Sequence, residues 1–145
     1  MLIIVLLNGL LITTPATAGQ ASNALGVCMA DSLTGKERKK LAQWIFFGMS
    51  SHPEMKPFSS VTEATRNKTD QSIGKLITRL LTEDCPTKAK FAIKKESSMA
   101  LQSAFELVGR VAMQELMTNK DVTISMSGFE KYMDKDKLSS LATVK

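Results

Sequence analysis

The sequence predicts an all-α fold: a single small helical domain of four to six helices, stapled by one disulfide. Three observations carry that expectation. From Thr34 onward apolar residues recur three and four apart, the spacing of one helix face. Capping-box signatures stand in front of the periodic runs. Strand evidence reduces to Val122-Thr123-Ile124, an alternation with no partner run.

The chain has 145 residues, and the first 18 carry no charged side chain, so all 19 basic and 14 acidic residues follow them. Met1 to Ile12 is an apolar run too short for the roughly 20-residue span of a bilayer. Ala16-Thr17-Ala18 then offers the small-x-small pattern of signal-peptidase cleavage. Residues 1–18 therefore read as a signal peptide cut after Ala18, although no basic residue precedes the apolar run. This places the mature chain in the periplasm or outside the cell, with no transmembrane segment of its own.

Residues 19–33 are small and polar with scattered apolar positions, which predicts a loosely structured lead-in to a helical domain at 34–145. Thr34-Gly35-Lys36-Glu37 has capping-box spacing, followed by Leu41, Trp44, Ile45, Gly48 and Met49 as the core face of a first helix. Ser51-His52-Pro53 ends it, because a residue before proline avoids the helical region. Ser60-Val61-Thr62-Glu63 predicts a second cap, and Ile73, Leu76, Ile77, Leu80 and Leu81 form the stripe of a helix running to about Glu83. Pro86 suits the first turn of the next helix. From there to Met117 the period continues, with a split or kink expected at Lys94–Ser98 and Asn119 expected as a C-terminal cap. Ser127-Gly128-Phe129-Glu130 predicts a short helix holding Phe129, Tyr132 and Met133, with a final turn through Leu138, Leu141 and Val144. Gly74 and Gly109 fall inside helices, where each costs about 1 kcal/mol relative to alanine. Close approach of neighbouring helices is the expected reason.

Cys28 and Cys85 are the only thiols, and in an exported chain two cysteines predict one disulfide. The absence of Cys-x-x-Cys argues against a redox pair. Leu25-Gly26-Val27-Cys28 resembles the box before a lipidated cysteine, but bulky Val27 stands where a small residue belongs.

The net charge is +5. Lys36, Arg38, Lys39 and Lys40 open one helix, and Lys88 and Lys90 open another, where cations oppose the helix dipole. The Cys28–Cys85 bond would draw both clusters together as one anion-binding surface for a protein or an anionic envelope component. The alternative is that Asp31, Glu37, Glu83 and Asp84 neutralise them. Interspersed charges, few aromatics and export argue against nucleic acid.

Met49, His52 and Met55 form an alternative set of soft ligands that suits Cu(I), although Met49 is expected in the core, and no cofactor is required. The single histidine and the lack of any nucleophile, zinc or phosphate-loop motif argue against an enzyme. The carboxylate pairs Glu83-Asp84 and Asp134/Asp136 sit among lysines, which would not raise a pKa for acid catalysis. The general type resembles exported helical accessory proteins, namely inhibitors or immunity proteins and periplasmic chaperones, with no motif behind the likeness. The expected function is a non-enzymatic periplasmic binding protein for a macromolecular partner, with a chaperone or stress protein as the alternative. The sequence leaves the oligomeric state open.

Overall fold

The computed structural model describes residues 19–141. The leader reading over residues 1–18 and the predicted contribution of Val144 lie outside them. The described chain is all-α, with seven helices against the expected four to six and no strand. They are α1 (Gln20–Asp31), α2 (Gly35–Met49), α3 (Glu63–Arg79), α4 (Pro86–Glu96), α5 (Met99–Met117), α6 (Lys120–Ser127) and α7 (Lys135–Leu141).

The predicted loose lead-in is instead α1, a central helix of the core. Its buried positions are Ala21, Ser22, Leu25, Gly26, Met29 and Ala30, pairs repeating every four residues, which lie on one helical face. They meet the face of α5 made by Ala100, Ala104, Val108 and Ala112. Small residues on both sides bring the two axes close. A Cβ on Gly26 would stand 3.0 Å from Leu107 Cβ and 3.2 Å from the Ala104 carbonyl oxygen. Close approach between helices is therefore at Gly26. At Gly74 and Gly109, where the sequence suggested it, an added Cβ would meet nothing within 4 Å.

The Thr34 capping box forms as expected. The Glu37 amide donates to Thr34 Oγ1 at 3.3 Å, and the Thr34 amide donates to Glu37 Oε2 at 2.9 Å. At α3 the cap falls on Thr62 rather than Ser60, accepting from the Thr65 amide at 3.1 Å. The α-helix stops at Arg79 and widens into a π-turn over Leu80–Asp84, closed by Cys85 N–H donating to Leu80 O at 2.9 Å. The expected break after α4 is real, with Ser97 at φ 60° between α4 and α5. Asn119 caps a beginning and not an end. Its Oδ1 accepts the Asp121 and Val122 amides, and the isolated β-branched triplet becomes part of α6. Around Phe129 the chain makes a 3-10 turn, Gly128–Tyr132, without a side-chain cap.

Cys28 and Cys85 are bonded, joining α1 to the start of α4 across 57 positions of sequence. On the chain-entropy picture this contributes roughly 4 kcal/mol. Beside it Arg79 gathers three elements. Its Nη1 lies 2.9 Å from Glu37 Oε1 and its Nε lies 3.0 Å from Asp84 Oδ2, while Nη2 donates to Ser32 O at 3.5 Å. Helix α5 packs on α1, α2 and α4, whereas α3 packs on α2 and not on α5.

Candidate functional site

That missing contact between α3 and α5 opens the site. Helix α2 runs antiparallel to both, as the Arg38–Glu115 and Glu37–Arg79 ion pairs at its start require, and it forms the floor between two walls. Leu41, Trp44 and Ile45 come from α2, Ile73, Gly74 and Ile77 from α3, and Phe105, Val108 and Gly109 from α5. Together they line an apolar groove of about 430 Å³. These are the residues whose spacing predicts a closed core. Leu41, Ile73 and Val108 are buried as expected and form the bottom of the groove, while Ile45, Ile77 and Phe105 are half-buried and Trp44 is exposed along it. Helix α2 buries Leu41, Ala42 and Phe47, leaving Ile45 half-buried and Trp44, Gly48 and Met49 exposed, which corrects the expectation for that face. Gly74 and Gly109 leave the walls bare, and a Cβ at either would meet nothing within 4 Å.

Asp70 sits at the edge of the groove and accepts the Trp44 indole N–H at 2.8 Å, which fixes the ring against α3 and leaves it 40% exposed. Past this pair the groove continues into a depression bounded by Phe47, Gly48, Met49 and Arg66. Arg66 donates to Phe47 O at 2.7 Å and to Ser51 Oγ, holding the start of α3 on the end of α2. Across the seam between α2 and α3 from the groove, Ile73 also borders two shallow depressions lined by Lys40, Lys68 and Lys75, with Glu37 and Arg79 in one of them. The one charged side chain that lines the groove itself is Asp70.

The expected basic residues occupy different surroundings. Lys36, Lys39, Lys40, Lys88 and Lys90 are exposed, and none forms an ion pair among the described residues. Arg38 is committed internally, to Leu33 O at 3.0 Å and to Glu115 at 3.6 Å. Glu37 and Asp84 are committed to Arg79, not to the lysines. Hydrogen bonding from the Thr34 amide, followed by its hydroxyl and Arg79, holds the Glu37 carboxyl below its ordinary range against the opposing effect of burial. Lys40 faces α3, whereas Lys88 lines a separate depression with Gln20, Ala24 and Phe91 between α1 and α4. Helices α2 and α4 do not pack on each other.

Met49 and Met55 are 51% and 50% exposed, so Met49 is not in the core as its spacing predicts. Nδ1 of His52 accepts the Glu54 amide at 3.3 Å, and no hydrogen bond joins the three side chains. Among the described residues no three His, Cys, Asp or Glu side chains converge on a possible metal position. None of the described helices is long and apolar enough to cross a membrane.

The groove is not legible in the periodicity, because the same stripe spacing serves helices that close on each other and helices, such as α3 and α5, that stay apart over a shared floor. Gly74 and Gly109, which the sequence suggests as points of close approach, line the gap instead and are the residues in which its signal lay. Comparison with known protein families, curated proteins and solved structures finds no match.

Proposed function

We propose that this is an exported, non-enzymatic binding protein of the inhibitor or immunity type, and that its groove receives an acidic amphipathic segment of a partner protein. The observation that carries the reading is the open apolar groove between α3 and α5, with lysines in the depressions across the neighbouring α2–α3 seam. An amphipathic helix lays apolar residues at i, i+3, i+4 and i+7 into such a groove. Carboxylates on its flank would be drawn by the field of Lys40, Lys68 and Lys75 across the seam, which speeds encounter and sets orientation more than it adds affinity. The leader pattern and the disulfide support a periplasmic or secreted location. The lack of a catalytic motif supports a role without chemistry.

The test is titration with designed peptides of about 18 residues, five helical turns, that share one apolar face but carry acidic or basic flanks. The acidic peptide is expected to bind at least about tenfold more tightly at low salt, with the preference fading as salt rises. Gly74→Leu and Gly109→Leu, which fill the groove, should abolish binding while the fold is kept. Unchanged binding in those variants overturns the groove. Equal binding of both peptides overturns the acidic partner and supports a second reading that the exposed apolar surface also favours, a chaperone for unfolded exported chains.

A further inference from the structure

Glu96 ends α4 and reaches the start of α1, 75 positions earlier in the chain. Its Oε1 accepts the Ala21 amide at 2.9 Å and its Oε2 accepts the Ser22 amide at 3.1 Å. Gly19, the N-cap of α1, provides no side-chain cap, so Glu96 satisfies amides that the helix start leaves open. Hydrogen bonds from Ser22 and the Ala21 amide hold its carboxyl below the ordinary range, against the effect of burial.

Gly19 itself has no room for a side chain. A Cβ there would overlap the Glu96 carboxylate, although φ of −60° is open to any residue. Contact and not conformation therefore calls for glycine. The nitrogen of a residue lies about 2.5 Å from its own Cβ position, and the nearer Glu96 oxygen is 2.0 Å from that position, so that oxygen lies no more than about 4.5 Å from the Gly19 nitrogen.

In the unprocessed chain that nitrogen is a neutral amide. Hydrolysis of the Ala18–Gly19 bond by a signal peptidase would consume one water, leaving a carboxylate on Ala18 and an ammonium on Gly19. We infer that Glu96 is the acceptor for the amino terminus created by that cleavage, an ion pair that fastens α1 to α4 only once the leader has gone. The inference rests on the export reading and not on the groove. Leu25 and Met29 of α1 are fully buried, so firm docking of its first turn affects the whole core. Of the other charges on the packed helices, Lys94 and Lys95 precede Glu96 and Lys88 lines the depression beside Gln20 and Ala21, while Lys90 of α4, Asp31 at the far end of α1 and Glu106, Arg110 and Glu115 of α5 complete the set. The first turns of α1 and α5 hold no charged residue.

Urea unfolding of the full chain and of the chain beginning at Gly19, disulfide intact, tests the pair. Processing is expected to raise the folding equilibrium constant about three- to tenfold. Glu96→Gln, Gly19→Ala and acetylation of the Gly19 nitrogen should each remove that gain; acetylation leaves every side chain in place and so guards against a variant that fails to fold. The Gly19 ammonium should titrate above the roughly 7.7–8.0 of ordinary α-amino groups. The gain is then complete below that range and fades as pH rises through the raised value. An equal gain after acetylation, or an unshifted amine, overturns the ion pair. Mass spectrometry of the exported chain showing a start other than Gly19 overturns the processing step, and neither result affects the peptide titration of the groove.

Discussion

Replacing glycine by alanine at three helical positions should give two outcomes of opposite sign. At Gly74 and Gly109 an added methyl meets no atom within 4 Å, so the dominant effect is helix propensity. Each substitution is expected to stabilise by about 0.5–1 kcal/mol. The positions lie on helices that do not pack on each other, so the double variant should gain about 1–2 kcal/mol. For a domain of this size that raises Tm by roughly 3–8 °C. At Gly26 the same methyl would stand 3.0 Å from Leu107 Cβ and 3.2 Å from the backbone of Ala104. Overpacking there costs about 1–3 kcal/mol and outweighs the propensity gain. Urea midpoints at unchanged m measure all three. A loss of stability at Gly74 or Gly109 comparable to that at Gly26 would show that α3 and α5 close on each other in solution, and would refute the open groove.

Reducing the Cys28–Cys85 bond should lower stability by roughly 4 kcal/mol, read as a shift in the urea midpoint with and without reductant; an unchanged midpoint contradicts the pinning of α1 to α4. Thr34→Ala should cost about 1 kcal/mol by leaving the Glu37 amide without its cap. Because the folded state holds the Glu37 carboxyl below its usual 4.5, its contribution is present above that value and is lost as pH falls through the depressed one. Glu37→Gln should therefore flatten the acid limb of a stability–pH curve, and an unchanged limb would mean that the capping box and the Arg79 pair do not hold in solution.

The helices of the middle of the chain are legible because their signals are local. Thr34 and Glu37 find each other within one turn, and Pro86 and the Lys94–Ser98 break do not depend on distant partners. Helix α1 was obscured because its face is built from alanine, serine and glycine, which resemble a loose polar segment by composition. The four-residue repeat of Ala21, Leu25 and Met29 with Ser22, Gly26 and Ala30 carried the information. Asn119 shows another limit, since the same residue type caps either end of a helix and only the chain beyond it decides which. For the site, the sequence supplies the apolar stripes and the lysines, while the separation of α3 from α5 arises from packing. The six basic residues expected to converge lie on α2 and α4, two helices that do not pack on each other, and Arg38 among them is turned to Glu115.

Trp44, the only tryptophan, lies in the groove and reports on it directly. Acrylamide quenching of its fluorescence, in the free protein and with the acidic amphipathic peptide, tests the central claim. An open groove predicts ready quenching in the free protein, then a blue shift and protection as the peptide covers the ring. A Trp44 already protected in the free protein, with no change on adding peptide, would contradict it.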